Sequence, residues 1–184
     1  MLDRLGYALE KVCSVNQPCR MQKVVIDQDL TAYIDVCHNI SGLEAVLREL
    51  KMTHPGKSIR VACAFSKMKD ITTMIEFLLS QVKSIHFMAC PHFKVESINN
   101  LYQKAQEAAD AASQQAAAEN AELTPLIAGG DIVQTLNNMV SIAQSTHQEE
   151  VLLVCGSFYI MDDVKNYFFR DETLEADPAS VNAK

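Results

Sequence analysis

The run Glu150–Gly156, EVLLVCG, is almost entirely apolar, and so is the run Ile59–Phe65, IRVACAF. Near-continuous apolar runs of this length are typical of central strands in a sheet that helices cover on both faces. The two runs therefore predict a parallel core.

Shorter β-rich runs alternate with longer segments of helical period, which is typical of a layered α/β domain. The predicted strands are Lys23–Ile26, Ala32–Asp35, Ile59–Phe65, Ser84–Ala89, Leu126–Ala128 and Val151–Cys155. The first two are joined only by Asp27–Leu30, so we expect an antiparallel hairpin at one edge. The prediction is a Rossmann-like three-layer domain with a mostly parallel sheet of about six strands and helices on both faces.

Three helices are predicted between these strands and a fourth after the last one. Apolar residues at i, i+3, i+4 and i+7 indicate a helix over about 41–52, which ends near residues 54–56, HPG. Asp70 and Asp131 are each placed to cap a further helix. Phe158–Phe169 is a fourth, less regular helical segment.

The segment 103–122 consists mainly of Ala, Gln and Glu and has no large apolar residue. Such a run has high helix propensity and little to bury, so we expect a surface helical extension or a partly mobile insert. It lies within a domain predicted over 17–170. Residues 1–16 are interpreted as a linker or interdomain segment, and 171–184 as a tail that frays.

Length and composition restrict the class of protein. The 184 residues suit one domain, and 48% hydrophobic residues exclude a disordered chain. The longest apolar runs are far shorter than a membrane span, and Met1–Arg4 has no apolar run behind it, so we expect a soluble protein. The net charge of −7 argues against sequence-independent binding of nucleic acid.

The cysteines are scattered singly, without a CxxC pair. This spacing argues against a zinc site or a redox centre and favours six free thiols in a reducing compartment. They are Cys13, Cys19, Cys37, Cys63, Cys90 and Cys155.

Polar residues follow three of the predicted strands, at the position where α/β sheets bind ligands. These segments are 35–39, 66–70 and 156–159. A carboxylate, an imidazole, an ammonium and a hydroxyl on one edge suit an anionic polar ligand. The residues alone leave a structural alternative open, because Asn39 or Ser41 is a fair helix cap and Gly156–Ser157 a fair tight turn.

Four segments, spread in order over about 18–168, resemble a known family. YIDVCHN, 33–39, resembles the LDGAHN segment that opens the C-terminal domain of folylpolyglutamate and dihydrofolate synthases, in the Mur ligase superfamily. QPCRMQ, 17–22, is similar to that family's PGR followed by an acidic or amide residue. AFSKMKD, 64–70, stands where the family has GAMxDKD, and LVCGSFYI, 153–160, matches VTGSLYLV. The chain departs from the family at Cys19, Val36 and Cys37, which replace small residues.

The resemblance implies an ATP-dependent ligase that activates a folate carboxylate as an acyl phosphate, which the amine of L-glutamate then attacks. In the family the phosphate loop lies in an N-terminal ATPase domain, and neither GxxxxGKS nor GxxxxGKT occurs here. The chain is therefore expected to be the C-terminal domain of a longer enzyme, inactive alone, sharing ATP and Mg²⁺ with that covalently linked domain. Neither nucleic acid nor membrane is an expected partner, and the expected location is cytoplasmic, or mitochondrial for the full-length protein.

The resemblance also implies roles for single residues. Arg20 is similar to the arginine that reaches the ATP phosphates, and Asp35 to the carboxylate that holds the ribose. His38 and Ser157 resemble the pair that receives the glutamate carboxylates, and Lys69 a lysine near the same amino acid. Asp70 is interpreted as a helix cap. No catalytic residue and no metal ligand is assigned within this domain.

Other functions stay open from the sequence. One is a ligase of the same superfamily, either a single-function dihydrofolate synthase or an enzyme acting on cell-wall precursors. Another is a non-catalytic α/β binding module that retains the fold. A GKGS-type loop upstream in the full-length gene would favour the ligase, and its absence the binding module.

Overall fold

The computed structural model describes residues 17–116, 124–146 and 149–169. The predicted linker, the predicted tail and Cys13 lie outside these ranges. The strands are β1 (Gln22–Val25), β2 (Thr31–Ile34), β3 (Ser58–Cys63), β4 (Ser84–Ala89), β5 (Leu126–Asp131) and β6 (Glu150–Cys155). The helices are α1 (Ile40–Thr53), α2 (Ile71–Gln81), α3 (Ile98–Ala116), α4 (Ile132–Thr146) and α5 (Met161–Phe168), with a 3₁₀ turn over Phe158–Ile160.

The six strands form one sheet in the order β1-β2-β6-β3-β4-β5. Only β1 and β2 pair antiparallel, and every other pair is parallel. The predicted edge hairpin and parallel core are therefore confirmed. The strand β6, which contains most of the apolar run EVLLVCG, lies in the middle of the sheet between β2 and β3.

Alternate residues of the central strands pack into two separate cores, one on each face. Val151, Leu153 and Cys155 face the core formed with α1, α2 and α3. Leu152 and Val154 face the other core, formed with α4 and α5. Each fully buried aliphatic side chain contributes about 1.5–3 kcal/mol, so a strand buried on both faces is a major source of stability. The expected three layers are confirmed.

Three side chains start helices by accepting backbone N–H groups. Asn39 Oδ1 accepts from Gly42 N at 2.8 Å at the start of α1, so Asn39 rather than Ser41 is the cap. Asp70 Oδ1 accepts from Thr73 N at 3.2 Å, and Asp131 Oδ1 from Gln134 N at 2.8 Å. Both caps predicted from the sequence are confirmed.

The Ala-rich segment supplies most of α3, and its residues 117–122 lie outside the described ranges. The expectation that this segment buries almost nothing differs from the structure, because Ala105 is completely buried in the core beside Leu101, which precedes the segment, and Ala108 packs against the same core. Residues at i, i+4 and i+7 share one helix face, and small alanines let that face approach its neighbours closely. No helix in the described part of the chain is both long and apolar enough to cross a membrane.

Candidate functional site

The three polar segments singled out in the sequence follow β2, β3 and β6, which are neighbours in the sheet. Parallel strands end at one edge, and adjacent strands are about 4.8 Å apart. We call this edge the carboxyl rim, and it comprises the loops 35–39, 64–70, 90–97 and 156–160. The sheet order therefore brings the loops carrying Asp35, His38, Lys69 and Ser157 together.

Asp35 connects two parts of the rim. Its carboxylate is buried, with Oδ2 accepting from Met21 N at 2.8 Å and Oδ1 from Cys37 N at 2.7 Å. Arg20 Nη1 lies 3.8 Å from Asp35 Oδ1, and the Arg20 side chain is 53% exposed. The structure thus brings Arg20 to Asp35 and leaves most of the guanidinium facing solvent.

The backbone before Arg20 is unusual. Cys19 has φ 58° and Met21 has φ 44°, both in the left-handed region that favours glycine. Cys19 stands where the similar family has glycine. Its buried side chain and the bond from Cys19 N to Gln22 Oε1, at 3.0 Å, offset part of that cost. Cys19 therefore holds a left-handed turn directly before Arg20, although it is not a glycine.

His38 presents one ring nitrogen to the rim. Its Nδ1 lies 3.0 Å from the Val36 carbonyl oxygen. A carbonyl only accepts, so Nδ1 carries the proton and donates. Nε2 makes no hydrogen bond within the described residues, and it can accept from a ligand, or donate to one when the ring is protonated.

The thiol beside His38 is structural. A hydrogen bond with Cys155, together with burial, raises the pKa of Cys37. Burial likewise raises the pKa of Cys63. Protonated buried thiols are poor nucleophiles, so these side chains serve packing. The five cysteines in the described ranges are free.

Gly156 lets the loop after β6 approach the loop after β3. Its φ is +108°, and a Cβ added there would lie 2.5 Å from the Ala64 carbonyl oxygen. Ser157 follows, 1% exposed, and its Oγ accepts from Tyr159 N at 3.3 Å. Ser157 Oγ also lies 3.1 Å from Ser66 Oγ. The predicted glutamate-binding hydroxyl is thus at the rim but covered.

Lys69 and Asp70 are both exposed but differ in their contacts. Asp70 caps α2 and also accepts from Thr73 Oγ1 at 2.8 Å. The Lys69 ammonium has no hydrogen bond or ion pair among the described residues. The structure brings the loops of Lys69, His38 and Ser157 to one edge, without a hydrogen bond between these side chains.

The loop after β4 contributes aromatic rings that the sequence analysis missed. His92 stacks on Tyr159 with 3.9 Å between ring centroids, and Lys94 Nζ lies 5.6 Å from the Tyr159 ring centroid. Three apolar side chains are highly exposed on the same edge: Met68 at 90%, Phe93 at 75% and Phe158 at 73%. The strand-end rule would have found this loop had it been applied to the strand Ser84–Ala89 as well.

Backbone hydrogen bonds hold the rim loops against one another. Lys67 N donates to Lys94 O at 2.9 Å, and Glu96 N to Phe65 O at 2.8 Å. Ser66 and Val95 form an isolated bridge. The loops after β3 and β4 therefore form one fixed surface, on which Lys67, Lys69 and Lys94 are exposed.

The opposite edge holds a cavity of about 600 Å³, lined by residues including Asp27, Lys57, Gln144 and Glu149. None of the predicted site residues lines this cavity. Across the described ranges, no group of three or more His, Cys, Asp or Glu side chains could hold a metal ion. The described residues therefore offer no cluster of protein ligands that would hold a metal ion without a substrate.

Residues 17–167 match the family described as dihydrofolate synthetase, C-terminal domain. Among curated proteins, no sequence matches the chain.

Solved structures of folylpolyglutamate synthases have a similar fold. The Mycobacterium tuberculosis enzyme complexed with ADP has a TM-score of 0.67 and 16% identity, over 86% of this chain and 34% of that one. E. coli FolC in complex with DHPP and ADP has a TM-score of 0.60 and 18% identity, over 84% of this chain and 32% of that one. The Thermotoga maritima folylpolyglutamate synthase has a TM-score of 0.58 and 15% identity, over 90% of this chain and 33% of that one. The chain spans about one third of the length of each of these proteins.

Proposed function

Because the chain belongs to the family of dihydrofolate synthetase C-terminal domains, we propose that it is the C-terminal domain of an ATP-dependent ligase that joins glutamate to a folate. The observation that carries the proposal is the sheet order. It makes β2, β6 and β3 neighbours and so brings Asp35, His38, Lys69 and Ser157 to a single edge, where Arg20 lies 3.8 Å from Asp35. The proposed location is cytoplasmic.

The proposed reaction has two steps. A folate carboxylate takes the terminal phosphoryl group of ATP, giving an acyl phosphate and ADP. The neutral amine of glutamate then attacks the carbonyl carbon, the bond to phosphate breaks, and the amide forms as phosphate and a proton leave.

The residues of the rim suit different parts of this chemistry. The exposed Arg20 guanidinium offsets charge on the transferred phosphoryl group. Asp35, which lies beside Arg20, holds the ribose of the same nucleotide. The Lys69 ammonium has donor protons without a partner among the described residues, and His38 Nε2 donates when the imidazole ring is protonated. Both side chains serve the glutamate carboxylates in that form, because hydrogen bonds to charged partners are the stronger ones.

We propose that an N-terminal ATPase domain covers the rim. A cluster of large exposed apolar side chains marks an interaction surface, and Met68, Phe93 and Phe158 form such a cluster beside the polar site. That domain would supply the phosphate loop and the Mg²⁺ site, since the described residues offer neither. The proposed chemistry thus needs both domains, and this chain alone is expected to be inactive.

The test is glutamate incorporation by the two-domain protein. His38→Ala is expected to raise the KM for glutamate about tenfold or more and to leave the KM for ATP unchanged. Asp35→Ala is expected to do the reverse. Asn39→Ala is the matched control, because Asn39 caps α1 next to His38 and its loss should lower only the melting temperature.

Two results would contradict the proposal. Equal effects of His38→Ala on both KM values, with a matching loss of stability, would favour a purely structural role for the rim. ATP- and folate-dependent consumption of glutamate by this chain alone would refute the need for a second domain.

A further inference from the structure

Two serine hydroxyls meet at the carboxyl rim, and they differ in access to its surface. Ser66 Oγ and Ser157 Oγ lie 3.1 Å apart. Ser66 is half-buried, whereas Ser157 is almost completely covered. Because a hydroxyl has one proton to donate and two lone pairs that accept, the other contacts of Ser157 determine which serine donates.

Those contacts favour donation from Ser157 to Ser66. Ser157 Oγ already accepts the Tyr159 N–H, so its own proton needs an acceptor. Within the described residues, Ser66 Oγ is the acceptor in reach of that proton, and burial keeps bulk water away. A buried donor without an acceptor is costly, so the proton of Ser157 goes to Ser66. The Ser66 proton is then left to point towards the open rim.

We infer that Ser66 donates the direct hydrogen bond to a carboxylate of the glutamate substrate, and that Ser157 acts through Ser66 as a positioning residue. The inference rests on the proposed function, which puts glutamate at this rim. A carboxylate oxygen only accepts, which suits the free proton of Ser66. Accepting from Ser157 also polarises the Ser66 hydroxyl and makes it a stronger donor.

The backbone around Ser66 is held in a way that suits this contact. Ser66 O accepts from Lys69 N at 3.1 Å, and Ser66 forms a bridge with Val95 across the rim. The Ser66 hydroxyl and the Lys69 side chain therefore belong to one tight turn. Both side chains are thus carried by the same turn of the carboxyl rim.

A double-mutant cycle on the two-domain protein tests the inference. Ser66→Ala and Ser157→Ala are each expected to raise the KM for L-glutamate about tenfold and to leave the KM for ATP unchanged. Because the two hydroxyls act in series, the double variant should also raise the KM for L-glutamate about tenfold. Two independent contacts would raise it about a hundredfold. Ser66→Thr, which keeps a hydroxyl, should restore a KM near that of the parent protein.

The control is Ser145→Ala, at the end of α4 on the opposite edge, where Ser145 Oγ donates to the Ile142 carbonyl oxygen at 2.8 Å. It should leave both KM values unchanged. A hundredfold effect of the double variant, or an unchanged KM in Ser66→Ala, would overturn the inference while the proposed function stands. If the parent protein and His38→Ala incorporate no glutamate, the proposed function itself fails, and the inference fails with it.

Discussion

The two edges of the sheet differ in whether their charged side chains are buried and paired or exposed to solvent. At the amino edge, Arg60 bonds Glu150 with both Nε, at 2.9 Å, and Nη2, at 3.1 Å, and Lys83 pairs with the same carboxylate. Arg60 Nη1 also donates to Ser84 Oγ at 2.8 Å. At the carboxyl rim, Arg20 and Lys69 face solvent. Charges that are buried and paired organise the fold, whereas open charges at a strand-end edge suit a ligand.

The first prediction removes the central charge of the amino edge. Glu150→Ala leaves the buried Arg60 guanidinium without its partner, so the free energy of unfolding should fall by about 3–5 kcal/mol. Urea denaturation measures this change. Glu44→Ala, on the exposed face of α1, is the control and should change stability by no more than about 0.5 kcal/mol. A loss for Glu150→Ala as small as that of the control would break the contrast between the edges.

The second prediction concerns acid, and it follows from His86 in the same amino-edge cluster. Burial and the neighbouring Arg60 charge lower the pKa of His86 from 6.5 to about 4, despite the opposing effect of Glu150. The unfolded chain therefore binds a proton that the folded chain excludes, and stability falls as the pH drops from 6.5 to about 4. The expected loss is about 3 kcal/mol.

Glu150 extends the acid sensitivity of this cluster to lower pH. Burial opposes its charged form, but hydrogen bonds from Arg60 and Lys83 outweigh burial and lower the pKa of Glu150. Its contribution is therefore present above the ordinary carboxyl pKa and is lost as the pH falls further. The variant His86→Gln keeps an acceptor for Arg60 but does not titrate. Denaturation curves at several pH values should show that this variant lacks the loss of stability assigned to His86. An unchanged pH profile in that variant would refute the assignment to His86.

The third prediction compares one glycine from each edge. Gly156 at the rim and Gly56 before β3 both have positive φ, at +108° and +83°, but only Gly156 faces a close backbone atom. Gly156→Ala should cost about 2–3 kcal/mol from strain and contact, and Gly56→Ala about 1 kcal/mol from strain alone. Melting curves of both variants give the comparison. Equal losses would show that the close approach of Gly156 to Ala64 does not constrain the rim.

The same two edges show how far the sequence could predict the structure. The apolar runs at Ile59–Phe65 and Glu150–Gly156 were enough for a parallel core, because that pattern is local. The Arg60–Glu150 pair was not predicted, although Arg60 interrupts the first of these apolar runs and Glu150 begins the second. Their pairing depends on β3 and β6 being neighbours, and strand order is set by long-range packing that no local pattern records.

The candidate site was predicted in part for the same reason. Asp70 could be assigned as a cap because its partner lies three residues away. The covering of Ser157 could not be predicted, because it results from the close approach of Gly156 to a different strand end. The roles of Arg20, Asp35 and His38 rest on the family resemblance, and they stay predictions.

The last prediction compares two adjacent residues of the rim, Asp70, which stabilises the fold, and Lys69, which is open to a ligand. Asp70→Ala removes the cap of α2 and should lower stability by about 1 kcal/mol, with the KM for glutamate unchanged. Lys69→Ala removes an exposed side chain without a described partner, so stability should change by less than about 0.5 kcal/mol. If the open ammonium binds glutamate, the same variant raises the KM for glutamate in the two-domain protein. Urea denaturation and steady-state kinetics on both variants separate the two roles. A stability loss in Lys69→Ala equal to that of Asp70→Ala, with no change in KM, would mean that even the open charges of the rim serve the fold.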